Sequence, residues 1–531
     1  MALDPIILRV HEHFCGFKTL GAAEQARWPE AFERLREKAA GLLEEHWQGS
    51  QLAADDEADD SKSPEGCAGT LIFRVERLES DPASAPASEL KLHVKTGYCV
   101  GVFWVVPGVL ALRIEPKLNR DDAVVDMSAM LQTVIADDGN DELLSGLLEV
   151  DFDAPLVPVD EPDNGLRLFL AAAYVSMMSR ILEAGLMRGF RMVEERFRGK
   201  VKGKILLAKT LRDPAALAMS ASGAVGGGSS ALLAGVHCRH QVFDFDTTEN
   251  RLLKAGLRRA AALLADYAAL SHGAQTGSDL AALSARAARL LRRMAEVSDA
   301  DELTIRETPG ESAGKLRSGH PLFGLYRAAL ETAEQLRRLE TLGFPEETDS
   351  QLQGVPKRPV GLAVPPHSID MPKLFELYAG TKLREALEGG RVECQFPAWH
   401  QVLDFLCRAP RVKAGPNLPP FEYFIADAKY KTCYAKGGGL LRDDARQLSG
   451  YARLSRVLKE VEAWGRPKKE ADAMLDCVVI YAAAEQPDST GAPTLDFSRL
   501  KPSDHWERFW RLPLEVPMRR ARSSAAESLQ A

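Results

Sequence analysis

Asp404 and the triplet Asp427-Ala-Lys429 are the residues of this 531-residue chain whose types and setting best suit catalysis. Asp404 interrupts the apolar run Val402-Leu-Asp-Phe-Leu406. A carboxylate there is expensive to bury unless it is paired or binds a cation. Alternate side chains of a strand share a face, so Asp427 and Lys429 point one way while Phe424, Ala426 and Ala428 point the other. Two carboxylates and the carbonyl of Ala428 make an oxygen-rich site suited to Mg2+, with Mn2+ as an alternative. Such a metal polarises a scissile phosphate and activates water, while Lys429 orients that water or steadies developing charge. Gln447 and Tyr451, four apart, share a helix face and are placed to hold the water, a phosphate or the strand end. Glu376 is a further candidate metal ligand, for which a plain surface role weighs equally.

Acid-x-Lys alone says little, because Asp60-Ser-Lys62, Glu89-Leu-Lys91 and Glu115-Pro-Lys117 share it. The first lies in an acidic loop and the second opens a strand. The third has proline at its centre and no partner acid in a preceding strand. Other constellations fail on spacing. Gly310-Glu-Ser-Ala-Gly-Lys315 is one residue short of a phosphate loop and is followed by leucine, which argues against a nucleotide site. His11-x-His13 and His237-Cys-Arg-His240 lack a further ligand or a CxxC companion. No Gly-x-Ser-x-Gly elbow occurs.

The elements that must position these residues begin at Asp370, which caps a helix with Pro372 in its first turn. Leu374, Phe375, Leu377, Tyr378, Leu383 and Leu387 form its apolar side, and Gly389-Gly390 ends it. Strands are predicted at 391–398, 401–408 and 421–431, then a helix over 441–463. The apolar run at 474–484 predicts a strand buried on both faces. Upstream, an amphipathic helix is expected within 24–47 (Phe32, Leu35, Leu42, Leu43, Trp47). Strands follow at 70–78, 90–95, 98–106 and 109–115, with loose loops at 50–66 and 79–88 and a turn at Pro107-Gly108. Helical patterns occupy 166–184, 248–267, 278–297 and 321–342, interrupted by a Gly/Ser/Ala loop at 219–235.

These patterns divide the chain into an N-terminal α/β domain (1–160), a mainly helical middle domain (161–345) and a proline-rich linker (346–369). A C-terminal α/β domain (370–516) and a disordered tail (517–531) follow, so the fold class is α+β multidomain. Apolar and charged fractions of 45% and 27% are those of a globular protein. No apolar run approaches the roughly 20 residues that span a bilayer, so no membrane is involved. No signal peptide is seen. Eight cysteines scattered singly argue for free thiols in a reducing compartment, hence the cytoplasm. A net charge of −8 argues against unaided gripping of nucleic acid, which draws on a basic excess. Local basic patches or a partner must then deliver such a substrate.

Helix, three strands, helix and strand bearing Asp…Asp-x-Lys resemble the PD-(D/E)xK nuclease superfamily, with Leu403 where its name has proline. Asp427-Ala-Lys-Tyr-Lys431, Gln447-x-x-x-Tyr451 and Leu374-Phe-Glu-Leu-Tyr378 are similar to the McrC family. So are Thr96-Gly-Tyr-Cys-Val-Gly-Val102, Ile114-Glu-Pro-Lys117, Arg198-Gly-Lys-Val-Lys-Gly-Lys-Ile205 and Asp246-Thr-Thr-Glu-Asn250. The resemblance implies the endonuclease subunit of an McrBC-type, 5-methylcytosine-specific restriction system in anti-phage defence. It implies docking, by the N-terminal portion, onto a ring of McrB-like AAA+ GTPase motors that recognise modified double-stranded DNA. Glu115-Pro-Lys117 then gains a role in that docking surface. The missing nucleotide loop and the acidic charge accord with this division of labour. One alternative is a non-catalytic adaptor or activator of an AAA+ NTPase with a vestigial nuclease fold. A third is a nuclease of DNA repair or RNA processing without a motor.

Overall fold

In the computed structural model the described residues are 5–20, 22–41, 47–48, 73–80, 90–140, 143–144, 146–151, 154–159, 164–198, 200–213, 235–270, 274–300, 323–343, 363–399, 401–410, 418–435, 440–467, 474–484, 494–503 and 505–520. They form a mixed α/β protein with two compact units. One comprises Met1–Phe169, Ser271–Asp279 and Leu342–Ala531, and the other Leu170–Leu270 and Leu280–Thr341.

The first unit contains a five-stranded sheet in the order Ile6–His11, Leu110–Glu115, Cys99–Val106, His367–Asp370, Leu148–Val150. Its first two strands run parallel, from Ile6↔Leu110 to His11↔Glu115. Cys99–Val106 is apolar along most of its length and buried at six positions, including Val100, Val102 and Phe103. That continuity is expected where both faces of a strand are covered. Gly101 lets the backbone of His367 approach closely, since a Cβ there would meet the His367 carbonyl at 1.9 Å. A second, four-stranded sheet joins Cys15–Leu20, Leu90–Thr96, Phe73–Ser80 and Trp47–Gln48. The helix Pro29–Gly41 buries Phe32 and Leu35 in the same core as Leu92 and Val94.

Ile6–His11 and Cys15–Leu20 are strands that the sequence pattern did not single out. Of the expected linker at 346–369, residues 346–362 lie outside the described residues, while Ala363–Val364 and His367–Asp370 are strands. Of the expected tail from 517, Met518–Arg520 pairs with Ala123–Val125, and 521–531 lie outside the described residues. The loops expected at 50–66 and 219–235 and the Gly310–Lys315 segment also lie mostly or wholly outside them.

The C-terminal sheet of this unit has the order Arg391–Ala398, Gln401–Arg408, Tyr423–Lys429, Asp476–Ala484, Phe509–Val516, Lys501–Pro502. The first three strands are antiparallel, and Tyr423–Lys429, Asp476–Ala484 and Phe509–Val516 are parallel neighbours. Cys477–Ile480 is fully buried, as its uninterrupted apolar pattern requires. Helix Met371–Ala386 buries Leu374, Phe375, Leu377, Tyr378 and Leu383, and Phe375 meets Tyr430. Helices Arg442–Tyr451 and Ser455–Ala463 bury Leu448, Tyr451, Val457 and Val461 against Tyr423, Ile425, Cys477 and Val479. The expected single helix over 441–463 is thus two. Short bonds from Arg453 N to Gly450 O and Leu454 N to Tyr451 O close the first.

The second unit contains Thr248–Leu270 and most of the helices Asn164–Ala184, Ala274–Arg293 and Phe323–Gly343. Tyr174 donates to Leu253 O at 2.8 Å, and Tyr326 to Asn250 Oδ1 at 2.9 Å. Asp246-Thr-Thr-Glu-Asn250 is a helix-start network: Asp246 accepts from Arg251, Ser298 N and Ser298 Oγ, and Asn250 donates to Met187 O and Phe245 O. The unit also holds a ribbon of Gly189–Phe197 and Val236–Asp244, paired over nine residues, with Lys204–Ile205 at its edge. The region was expected to be mainly helical. Gly189–Phe197 carries charges on both of its faces, which hides the period-two signal.

Candidate active site

Asp370 starts the helix that carries Glu376, accepting from Lys373 N at 3.0 Å with Pro372 in the first turn. Gln395 Nε2 donates to Glu376 Oε1 at 3.1 Å. Gln395 itself has φ +48°, and the pairing of its strand with Gln401–Arg408 skips the Gln395–Asp404 step. On the other side, pairing of Gln401–Arg408 with Tyr423–Lys429 ends at Phe405↔Ala426. One ladder is interrupted at Asp404 and the other ends just before it, a break of the kind that re-aims side chains. The carboxylate fills the gap, since Oδ2 accepts from Ala428 N at 2.8 Å.

Asp427 and Lys429 are held by parallel pairing with Val479 and Tyr481. Asp427 is 1% exposed. Lys429 Nζ lies 2.7 Å from Asp427 Oδ2 and donates to Gln447 Oε1 at 3.2 Å. Gln447 Nε2 in turn donates to the hydroxyl of Tyr451 at 3.4 Å. One turn and face of the helix Arg442–Tyr451 therefore reach the ammonium, as their spacing of four requires.

Burial drives the Asp404 carboxyl well above its ordinary pKa, and the negative charges of Asp427 and Glu376 push the same way. Burial likewise raises Glu376, helped by Asp427. Burial works against the charge on Lys429, but Asp427 and Asp404 outweigh it and raise its pKa. Three carboxyl groups thus share one low-dielectric field in which Lys429 offsets a single negative charge. That excess of negative charge is the condition in which a divalent cation is favoured. Among the described residues no three His, Cys, Asp or Glu side chains converge to hold a metal by themselves. The oxygen atoms that could hold a metal here are those of Asp404, Asp427 and the backbone carbonyl of Ala428, with Glu376 as an adjoining acid.

The structure gathers Asp404, Asp427, Lys429, Gln447, Tyr451 and Glu376. The histidine pairs lie elsewhere: His237 Nε2 is 2.9 Å from Asp213 Oδ2, His240 packs on Phe197, and His13 meets the Tyr98 ring. Gln395 was not foreseen, because nothing in its own strand marks a break at that position. Nor was Asp444, which is buried and accepts from Lys431 at 2.9 and 3.1 Å and from the Tyr434 hydroxyl. Its location in the first turn of a helix makes it look like a routine N-terminal acid.

Residues 94–306 match the family model described as McrBC 5-methylcytosine restriction system component. That match covers 94–306 of the 531 residues, and over them the chain is similar to McrBC-family proteins. The matched segment takes in the upstream motifs at 96–102, 114–117, 198–205 and 246–250, and ends before Glu376. No curated protein matches the chain. One similar solved structure is a half-complex from a tetradecameric assembly of Thermococcus gammatolerans McrB AAA+ hexamers with bound McrC. It is 15% identical, with 96% of this chain and 94% of that chain covered and a TM-score of 0.32. Another is the McrBC complex of the same organism, 15% identical, with 72% and 89% covered and a TM-score of 0.24. At those scores neither likeness carries an argument about this chain. Among the described residues no helix is long and apolar enough to cross a membrane.

Proposed function

We propose that this chain is the Mg2+-dependent DNA endonuclease subunit of an McrBC-like restriction complex, with a PD-(D/E)xK domain at 370–516 working beside an McrB-like AAA+ GTPase ring. The observation that carries the reading is the set of half-buried Glu376 and Asp404 and buried Asp427, gathered round Lys429 where the strand ladder is interrupted. The McrBC match over 94–306 supports the setting in restriction.

Asp404, Asp427 and the Ala428 carbonyl would hold Mg2+, which supplies Lewis-acid polarisation of the phosphate and a more acidic water. The side chains do the positioning. Asp404 is locked by the Ala428 amide, so its carboxylate keeps one orientation toward Asp427. Lys429, charged through its acidic neighbours, places a positive donor where negative charge develops on the phosphate. Gln447 fixes that ammonium from the far side and is itself steadied by Tyr451. Glu376, tied to Gln395, is set to orient the attacking water or accept its proton.

A partner is supported by a separate feature of the second unit. Seven of the ten exposed large apolar side chains among the described residues lie between Phe190 and Phe243. Exposed apolar clusters of this kind mark interaction surfaces. A purely adaptor role would use that surface and leave three mutually repelling, largely enclosed acids without a purpose, so cutting is the better reading. The test is cleavage of methylated duplex DNA by the full chain in Mg2+, with and without its AAA+ partner and GTP. Cutting that needs the partner, and is lost in Asp427→Ala and Lys429→Ala while the complex still assembles, is the expected result. Unchanged cutting by Asp427→Ala would refute the site.

A further inference from the structure

We infer that Glu12 and Lys117 are positioning residues that clamp the strand end beside Lys429, so that the two upstream motifs around Thr96 and Lys117 serve the cutting site. The inference rests on the function proposed above.

The strands Ile6–His11 and Leu110–Glu115 are parallel and in register at His11↔Glu115. The residues that leave their ends, Glu12 and Lys117, therefore emerge side by side. Glu12 N donates to Glu115 O at 2.9 Å, and Lys117 N donates to Glu12 Oε1 at 2.9 Å. Thr96 and Gly97 pin the turn that follows Glu12. Thr96 Oγ1 accepts from Phe14 N at 2.8 Å and donates to His11 O at 2.9 Å, and Gly97 O accepts from His13 N at 3.0 Å. His13 takes φ +58°, which turns the chain away and leaves the Glu12 side chain inside.

What this framework holds is Tyr430, the residue after Lys429. The Lys117 ammonium lies 4.3 Å from the Tyr430 ring centroid and 5.5 Å from that of Tyr98, a cation between two aromatic rings. Glu12 is 2% and Tyr430 4% exposed. Glu12 Oε2 and the Tyr430 hydroxyl are both buried, neither makes a hydrogen bond, and they lie near enough to act electrostatically on one another. Two unpaired buried groups are costly, and a small closing movement that joins them would satisfy both. The Tyr430 ring also packs on Phe375, the neighbour of Glu376. On the opposite side Asp444 grips Lys431 and Tyr434. The backbone from 430 to 434 is thus fixed from two directions, and with it the aim of Lys429 and the Ala428 carbonyl. Lys117 of the Glu115-Pro-Lys117 motif is thereby engaged within its own chain.

The experiment uses the full chain as wild type, Glu12→Ala, Glu12→Gln and Tyr430→Phe. The last keeps the ring and its packing and loses the hydroxyl, so it guards against a Glu12→Ala variant that fails to fold. Hydrogen exchange of peptides covering 426–434 should quicken about tenfold in Glu12→Ala and Tyr430→Phe, with Glu12→Gln close to wild type. In cleavage with the AAA+ partner, the Mg2+ concentration for half-maximal rate should rise about tenfold in the same two variants, with Glu12→Gln again restoring it. A merely structural residue would lower the melting temperature without moving that Mg2+ requirement. Unchanged exchange in Tyr430→Phe overturns the clamp, and faster exchange with an unchanged Mg2+ requirement overturns the positioning role. If the wild-type chain does not cut at all, the nuclease reading fails, while the exchange measurement still decides whether Glu12 holds Tyr430.

Discussion

In the C-terminal sheet, apolar side chains enclose charge, while in the ribbon of the second unit charge surrounds exposed apolar side chains. Asp427 is 1% exposed between strands whose cores are Ile425, Val478 and Ile480. Phe190 and Phe243, paired across the ribbon with ring centroids 4.7 Å apart, are 69% and 52% exposed. Around them Arg191 pairs with Asp244 and Lys209 with Glu194 in solvent, where ion pairs contribute little. The same residue types are therefore used in opposite ways. Buried carboxylates are costly to fold, and under the proposed function they gain their value from a cation held in a low dielectric. Exposed aromatic rings add little to folding and gain their value when a partner covers them.

The largest expected effect that tests this contrast is on the reaction. Asp427→Ala should lower single-turnover cleavage by about 10³-fold, with the melting temperature little changed. Next comes packing: Phe424→Ala, fully buried beneath the acids, should destabilise by about 3–5 kcal/mol in denaturant unfolding.

A third prediction concerns pH. Burial raises the Glu12 carboxyl from an ordinary 4.5 to about 7. As pH rises between those values the unfolded chain releases this proton first, so stability falls over that window and levels off above about 7. Glu12→Gln should remove that decline, on the order of 3 kcal/mol across the window, in unfolding measured at pH 4 to 8.

Asp404→Asn follows with a gain in place of a loss. It keeps an acceptor for the Ala428 amide and removes the repulsion among the acids, so it should melt a few degrees higher at neutral pH without Mg2+. Mg2+ should stabilise the wild type and leave this variant unchanged, and destabilisation by Asp404→Asn would contradict the picture of strained acids. The smallest effect is expected on the ribbon, where Phe243→Ser should change stability by less than about 0.5 kcal/mol. A large loss there would show that the ribbon is folded by its apolar side chains, and the comparison would break.

Much of the C-terminal half was legible because its signals are local. Strict alternation puts Asp427 and Lys429 on one face, and a spacing of four puts Gln447 and Tyr451 on another. The strands Arg391–Ala398 and Gln401–Arg408 stand where the pattern placed them. The ribbon Gly189–Phe197 was not legible, since charges on both of its faces hide the period of two. Nor was the strand His367–Asp370 within a proline-rich stretch, which is fixed by pairing with Cys99–Val106 more than 260 residues earlier.

By itself the sequence determined which side chains could do chemistry and which faces they share, because residue type and backbone period suffice for that. Tertiary structure alone decided their company. Gln395 reaches Glu376 only because the ladder breaks at Asp404. Glu12 and Lys117 meet Tyr430 only because two parallel strands end together beside it. Such meetings depend on long-range register and burial, and a linear pattern carries no record of either.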